Sequence, residues 1–146
     1  MSSEIKFFVP GIPAPGGSKN TFINKKTGKV CVVDACKRNP AWRNRVAHFA
    51  LPHKPDKPLT CAIELNVDFL MPRPKCHYRT GKNAGKLKDT APRYCIKRPD
   101  TTKLLRALED ALTGIIWKDD EQVVKQVIRK HYGENPGAMV RISEII

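Results

Sequence analysis

Residues 98–120 read RPDTTKLLRALEDALTGIIWKDD, and this is the most informative stretch of the chain. Its apolar residues recur three and four positions apart, which predicts an amphipathic helix with one buried face. They are Leu104, Leu105, Leu108, Ala111 and Leu112. Asp100 or one of the threonines after it suits the N-cap, and Thr113-Gly114 suits the end. A helix followed by an acidic turn is therefore predicted.

Strands are predicted on both sides of this helix. Thr60–Leu70 alternates apolar and polar residues, with Cys61, Ile63, Leu65, Val67 and Phe69 on the buried face. Glu64 and Asp68 then fall on a solvent-facing side. Shorter apolar runs bounded by turn residues predict four more strands. They are Ile5–Val9, Val30–Val33, Val123–Lys130 and Met139–Ile145.

A second helix is predicted after Asn39, which can act as its N-cap, with Pro40 in the first helical position. Its buried face would carry Trp42, Val46, Phe49 and Ala50. Together the elements predict one α+β domain over residues 1–146, with a mixed sheet of about four to five strands packed by two main helices.

Composition points to an acidic polymer as the partner. Lys and Arg number 27 against 14 Asp and Glu, which gives a net charge of +13. No apolar run approaches the roughly 20 residues of a membrane helix, and Met1–Lys6 lacks the apolar core of a signal peptide. We therefore expect a soluble, cytoplasmic protein without a membrane partner.

Cysteine and histidine spacing gives no metal or disulfide framework. The five cysteines are odd in number and contain no Cys-x-x-Cys pair, which argues against a disulfide scaffold and a zinc module. The four histidines share no ligand spacing. Reduced thiols and structural histidines are the predicted states.

Residues 71–98 form a predicted basic, flexible insert. Nine Lys or Arg side chains lie in this segment with a single acidic residue, Asp89. A long segment of one charge is typical of chain that orders on a polyanion, although a solvated insert without specific contacts is the alternative. The predicted DNA-binding residues are Arg73, Lys75, Arg79, Lys97, Arg98 and, on the helix, Lys103.

Acidic residues in so basic a chain suggest a divalent cation. Asp100 lies at a helix N-terminus, and Asp120 lies on the turn before the next strand. A helix followed by an adjacent strand can bring the two together as a minimal oxygen site for Mg²⁺, or for Mn²⁺ in its place. Asp119 is a possible third ligand or water-orienting base, and Arg106 could stabilise phosphate charge.

Each of these residues also has a purely structural interpretation. Asp100 can be only an N-cap, Asp119-Asp120 only a turn, and Arg106 only a helical ion-pair partner of Glu109 or Asp110. Residue pattern alone favours these simpler interpretations.

The order of the motifs resembles the RusA family of Holliday-junction resolvases. The resemblance is carried by RPD at 98–100, LLRAL at 104–108, DALT at 110–113 and WKDDEQVV at 117–124. FVPGIPAP at 8–15 is similar to the opening of phage-borne members. The resemblance to this family implies a small homodimeric endonuclease that cuts four-way DNA junctions symmetrically with Mg²⁺.

The resemblance also assigns residues and exposes one departure. Asp100 and Asp120 match the first and last catalytic aspartates, and Arg106 matches a catalytic lysine. Thr102 stands where the family pattern Pro-Asp-x-Asp has its second aspartate. Its hydroxyl would order a water of the metal while Asp119 supplies the missing charge, or the metal site is weaker. Arg106 keeps the charge of lysine but cannot donate a proton at ordinary pH.

The predicted function is a Mg²⁺-dependent endonuclease that resolves four-way junctions by paired nicks, in recombination, repair or phage DNA processing. Catalysis is assigned to Asp100, Asp120, Arg106, Asp119 and Thr102, and metal binding to the three aspartates. A non-catalytic protein that binds branched DNA with the same fold is the alternative. A basic RNA-binding domain fits the charge but leaves the acidic residues unexplained.

Overall fold

A computed structural model describes residues 4–16, 19–34 and 37–146. The strands are β1 Glu4–Pro10, β2 Lys19–Ile23, β3 Val30–Asp34, β4 Ala62–Pro72, β5 Val123–Gly133 and β6 Gly137–Ile145. The helices are α1 Asn39–Ala50 and α2 Thr101–Leu112. Short 3₁₀ turns lie at Leu51–His53, Lys75–His77, Gly81–Asn83 and Asp120–Gln122. The predicted α+β domain is confirmed.

The main sheet has the strand order β1-β6-β4-β5, so it contains four strands. β6 runs antiparallel to both β1 and β4, whereas β4 and β5 are parallel. Although β5 and β6 are consecutive in the chain, β4 lies between them. β2 and β3 form a separate antiparallel pair, so the predicted strand Val30–Val33 is present but is not part of the main sheet.

The core lies between one face of the sheet and the two helices. The predicted face of β4 is buried, with Ile63, Leu65, Val67 and Phe69 inaccessible to solvent. The apolar stripe of α2 packs against it through Leu104, Leu108 and Leu112. On the other face of the sheet, Glu64 pairs with Lys125 at 3.5 Å and Asp68 with Arg129 at 3.7 Å. Both acids therefore lie on the polar face of β4, as predicted.

The start of α1 differs from the prediction. Asn39 is the first helical residue rather than its cap; Arg38 occupies the N-cap position without a side-chain capping bond. The Asn39 side chain is buried and its Nδ2 donates a hydrogen bond to the Pro15 carbonyl at 2.7 Å. The amide therefore holds the proline-rich loop after β1, a tertiary contact that outweighs capping.

That loop packs closely on α2. The Gly16 amide donates to the Lys103 carbonyl at 2.9 Å, and a Cβ at Gly16 would lie 3.1 Å from the Cα of Ala107. Glycine is required because the two backbones approach so closely. The loop after β1 therefore returns to the body of the domain.

In the part of the chain that the structure describes, no helix is long and apolar enough to cross a membrane. The described cysteines Cys61, Cys76 and Cys95 are free thiols. Cys31 and Cys36 have side chains outside the described set.

Leu108→Ala should lower the free energy of unfolding by about 2–5 kcal/mol, because it leaves a cavity at a fully buried position of α2. Urea unfolding followed by circular dichroism measures the loss. Leu87→Ala is the control: Leu87 is 44% exposed, so its change should stay within about 0.5 kcal/mol. Equal losses for both variants would contradict the packing described for α2.

Candidate active-site cleft

The acidic turn is fixed by the chain that leads into it. Trp117 is fully buried, and its Nε1 donates to Thr113 Oγ1 at 3.0 Å. Leu59 pairs with the same segment, donating to the Ile116 carbonyl at 2.8 Å and accepting from the Lys118 amide at 3.0 Å. Residue 118 is therefore anchored immediately before the two aspartates.

Asp119 and Gln122 close the turn with a capping box. The Asp119 amide donates to Gln122 Oε1 at 2.7 Å, and Asp119 Oδ1 accepts from the Glu121 amide at 3.2 Å. Gln122 Nε2 also donates to the Leu59 and Cys61 carbonyls, at 2.7 Å and 3.0 Å. One carboxylate oxygen of Asp119 thus accepts a backbone hydrogen bond within the turn.

Asp100 caps α2, as one of the two predicted possibilities. Its Oδ1 accepts from the Lys103 amide at 2.8 Å, and its side chain is exposed. The approach to the cap is held from β5, because Lys130 Nζ donates to the Lys97 carbonyl at 2.6 Å and the Pro99 carbonyl at 2.7 Å. Asp100 is therefore held in place by its own capping hydrogen bond and by the hydrogen bonds from Lys130 to the segment that precedes it.

An open cleft of about 550 Å³ runs beside α2 toward the acidic turn and β5. Three predicted catalytic residues line it together, namely Thr102, Arg106 and Asp120. Leu105, Glu109, Asp110, Glu121 and Gln126 complete the lining. Asp100 and Asp119 lie beside the cleft, at the start of the helix and of the 3₁₀ turn, and do not line it.

Glu109 is the most perturbed acid of the cleft. Burial, together with the charges of Asp120 and Asp110, raises the pKa of its carboxyl from 4.5 to about 7. A hydrogen bond from Gln126 Nε2 to Glu109 Oε1, 3.1 Å long, and the charge of Arg106 act in the opposite direction. Several carboxylates therefore share one small space.

Asp120 has an exposed side chain that nevertheless titrates abnormally. A side-chain hydrogen bond with Asp119 raises the pKa of Asp120, as do partial burial and the charges of Asp119 and Asp110. Negative charge is thus concentrated at this end of the cleft, which favours a cation or a proton there.

Sequence reasoning missed four residues of this lining: Glu109, Asp110, Glu121 and Gln126. Helical spacing could have found the first two, because positions 102, 106, 109 and 110 fall on one face of an α-helix. Gln126 could not be found this way, since its place depends on how β5 packs beside α2.

Two of the predicted DNA-binding residues, Arg73 and Arg79, bind other residues within the segment 73–92. Arg73 Nη1 donates to the Pro92 carbonyl at 2.8 Å, and its guanidinium lies 5.1 Å from the Tyr132 ring centre. Arg79 pairs with Asp89 at 2.9 Å. The other four, Lys75, Lys97, Arg98 and Lys103, are exposed. Their role in DNA binding stays a prediction.

The donor chemistry of the cleft fits a hard cation. Within the described part of the chain, no three Asp, Glu, His or Cys side chains are grouped so that they could hold a metal ion. Mg²⁺ needs fewer, because it keeps several waters and is commonly held by one or two carboxylates plus substrate phosphate. Carboxylate oxygens that face an open cleft meet that requirement.

Comparison with known proteins gives two findings. The family described as endodeoxyribonuclease RusA matches residues 12–143 of this chain. The chain is also 32% identical over 144 residues to a Bacillus subtilis (strain 168) protein named uncharacterized protein YqaN, which covers 97% of this chain and 96% of that protein.

The stability of the metal-free protein should fall as pH rises from about 4.5 to about 7. The folded state raises the pKa of Glu109 to about 7, so it holds the proton more tightly than the unfolded chain does. The protonated Glu109 contributes its full stabilisation below the pKa that this residue has in the unfolded chain. The contribution is lost as the pH rises through the pKa that it has in the folded protein. Glu109→Gln removes this contribution, and urea unfolding in a chelating buffer at several pH values measures it.

The matched control is Glu121→Gln, which removes a charge from the same cleft but is not among the groups that perturb Glu109. It should keep the wild-type pH dependence. If Glu109→Gln retains the full pH dependence as well, the electrostatic description of the cleft is wrong.

Proposed function

This chain belongs to the RusA family of endodeoxyribonucleases, and from that premise we propose that it is a Mg²⁺-dependent enzyme that resolves four-way DNA junctions. The observation that carries the proposal is the cleft that holds Arg106 and Asp120 together on a strongly basic protein. A protein that only bound DNA would gain nothing from negative charge on its binding face.

The proposed reaction is hydrolysis of a phosphodiester. The oxygen of water forms a bond to phosphorus, the bond from phosphorus to one sugar oxygen breaks, and that oxygen leaves as a hydroxyl. One proton of the water ends on this hydroxyl and the other passes to solvent. When bound, Mg²⁺ supplies positive charge that neutralises the phosphate and promotes ionisation of water.

Of the three predicted metal ligands, Asp120 lines the cleft and is the proposed direct ligand there. Asp100 and Asp119 lie beside the cleft, and the three side chains are not grouped to hold one ion together in the described chain, so substrate phosphate and water would complete the coordination. Asp100 uses one carboxylate oxygen for capping, whereas Asp119 both accepts a backbone hydrogen bond in the turn and shares a side-chain hydrogen bond with Asp120. Thr102 contributes a hydroxyl to the cleft, which can hydrogen-bond to water but adds no charge.

Arg106 is the proposed electrophilic group. It lines the cleft near enough to Glu109 to lower the pKa of that carboxyl. Its planar guanidinium can bind two phosphate oxygens at once and stabilise the charge that grows on them. Because Arg keeps its proton at ordinary pH, the role is electrostatic, and the leaving oxygen takes its proton from water.

Symmetric cutting requires two such clefts. We place them in a homodimer, in which a two-fold axis presents one cleft to each of two opposite strands of a four-way junction. Binding comes mainly from phosphate neutralisation by the basic segment 71–98 and by Lys103, and selectivity comes from the branched shape of the DNA.

A second candidate function is branched-DNA binding without cleavage. The replacement of the family's second aspartate by Thr102 favours it, because a site with less negative charge holds Mg²⁺ less tightly. Cleavage and binding therefore have to be scored separately.

Asp120→Asn should abolish nicking of a synthetic four-way junction while leaving binding intact, with a rate loss of about 100-fold or more, near 3 kcal/mol. Nicks are mapped on labelled strands in Mg²⁺ and in chelator. Glu134→Gln, at the far end of β5, is the charge-matched control and should cut normally. Junction binding without nicks by the wild-type protein in either Mg²⁺ or Mn²⁺ would refute the enzyme assignment.

Binding of the junction should weaken steeply with salt, and neutralising Lys97 and Arg98 to Gln should reduce the slope of log K against log salt by about 2. Both are exposed next to Asp100. Asp120→Asn protein allows the measurement without cleavage. The control replaces Lys54 and Lys57, exposed residues between α1 and β4, which should leave the slope unchanged. Equal effects of the two pairs would mean that net charge alone governs binding.

A further inference from the structure

Resting on the proposed function, we propose that residues 73–95 form a basic hairpin that is folded before DNA binds. Its lysines bind phosphates of a duplex arm of the junction, about six base pairs or more from the branch. The motifs that carry the family resemblance lie outside this segment. Three features of the basic hairpin support the proposal: its internal hydrogen bonds, its attachment to β5, and the different contacts of its arginines and its lysines.

Hydrogen bonds within the segment hold the two halves of the basic hairpin together. The Arg79 amide donates to the Lys86 carbonyl at 2.7 Å. The Lys88 amide donates to the His77 carbonyl at 2.9 Å, so the two halves run antiparallel. The Arg79 side chain reinforces this pairing, because its Nη2 donates to Asp89 Oδ1 at 2.9 Å. The segment is therefore folded by its own contacts in the absence of DNA.

Both ends of the basic hairpin are attached to β5 at Tyr132. At the first end, the His77 ring packs edge-on against the Tyr132 ring, with 4.9 Å between the ring centres. The Arg73 guanidinium lies 5.1 Å from the centre of the same ring. At the second end, the Tyr132 amide donates to the Arg93 carbonyl at 2.9 Å. The basic hairpin therefore leaves the domain at a fixed position on β5.

That position lies at a defined distance from the cleft. Gln126, which lines the cleft, and Tyr132 are six residues apart on β5. A strand rises about 3.3 Å per residue, so the two positions are about 20 Å apart. Successive phosphates of a DNA strand are about 3.4 Å apart along the helix axis, so this distance spans about six base pairs. DNA that enters the cleft at the branch therefore meets the basic hairpin through its duplex arm.

The arginines of the basic hairpin contact the protein, whereas its lysines face solvent. Arg73 donates to a backbone carbonyl at 2.8 Å, Arg79 pairs with the single acid of the segment at 2.9 Å, and Arg93 lies 5.3 Å from a tyrosine ring centre. The lysines are exposed, and none of them makes an ion pair within the described part of the chain. They are Lys75, Lys82, Lys86 and Lys88.

Exposed lysines without a counter-charge favour a polyanion as their partner. Seven Lys or Arg side chains and one acid give residues 73–95 a net charge of +6. Duplex DNA carries one negative charge per about 1.7 Å of its axis, and a lysine that neutralises a phosphate releases a counterion. Lysine binds phosphate as a point charge, without the bidentate geometry by which arginine reads a base. Binding by the basic hairpin is therefore independent of sequence and sensitive to salt.

The test measures binding of two four-way junctions in chelator, over roughly 50 to 200 mM salt. One junction is unmodified, and the other carries neutral methylphosphonates at about base pairs 5 to 10 of each arm, counted from the branch. The lysine variant replaces the four lysines of the basic hairpin with Gln. The matched control variant removes the same charge from exposed residues elsewhere on the domain, by replacing Lys6, Lys54, Lys57 and Arg141 with Gln.

On the unmodified junction, the lysine variant should lower the slope of log K against log salt by about 3 to 4, because each phosphate contact contributes about 0.9 to it. The neutral phosphates should lower the wild-type slope by a similar amount. They should add little in the lysine variant, since both changes remove the same contacts. The control variant should keep the full wild-type sensitivity to the neutral phosphates. Equal sensitivity of the lysine variant and the wild type would overturn the inference.

Hydrogen exchange tests whether the basic hairpin is folded before DNA binds. The amides of Arg79, Lys88 and Tyr132 donate backbone hydrogen bonds, so they should be protected in the DNA-free protein. The lysine variant should show the same protection, because the four lysine side chains make no ion pair that holds the segment. Exchange of the Arg79 and Lys88 amides at the rate of an unfolded peptide would refute the folded hairpin, even if its lysines bind DNA.

These outcomes are distinct from failure of the proposed function. A wild-type protein that nicks junctions in Mg²⁺, while the lysine variant binds them with the wild-type salt dependence, refutes only the role of the basic hairpin. A protein whose junction binding depends on these lysines but that never nicks DNA keeps that role and refutes the nuclease. Absence of junction binding by the wild-type protein refutes the role of the basic hairpin outright.

Discussion

The parallel pairing of β4 with β5 is the constraint on which the rest of the structure depends. Parallel neighbours cannot be joined by a tight turn, so the chain must return along the sheet between Pro72 and Val123. The basic segment, α2 and the acidic turn all belong to that crossover. Burial of the α2 stripe against β4 fixes the crossover in place, and the cleft forms where the crossover meets the edge strand β5.

The acidic residues of this crossover fall into two groups, those that cap local structure and those that line the cleft. Asp100 and Asp119 satisfy backbone amides at the starts of a helix and a turn, and so each gives one oxygen to the fold. Asp120 and Glu109 line the cleft. Burial, and then the charge of Asp120, raise the pKa of Glu109, whereas a hydrogen bond with Asp119 is the main cause that raises the pKa of Asp120. The acids that cap local structure thus differ from the acids with raised pKa values in the cleft. Acids with shifted pKa values are typical of functional sites.

Sequence could predict those features that depend on local pattern. The strand β4, the stripe of α2 and the cap at Asp100 follow from periodicity and capping preference, and the family follows from motif order. The Asn39 cap was predicted wrongly because a tertiary contact to Pro15 uses the same side chain. Gln126 and the isolation of the β2–β3 pair could not be predicted, since both depend on which elements pack side by side. Glu109 was visible on the right helical face, but only its surroundings distinguish it from a surface acid.

We propose that the cleft beside α2 holds the cation that acts on junction DNA. The most direct measurement replaces Mg²⁺ with Fe²⁺ in the complex with a four-way junction and adds ascorbate and hydrogen peroxide, so that radicals formed at the ion cut whatever lies near it. We predict cuts in the protein near residues 106–110 and 119–121, and DNA cuts at two symmetric positions at the branch. Protein cuts confined to other regions, or DNA cuts spread evenly along the arms, would contradict it.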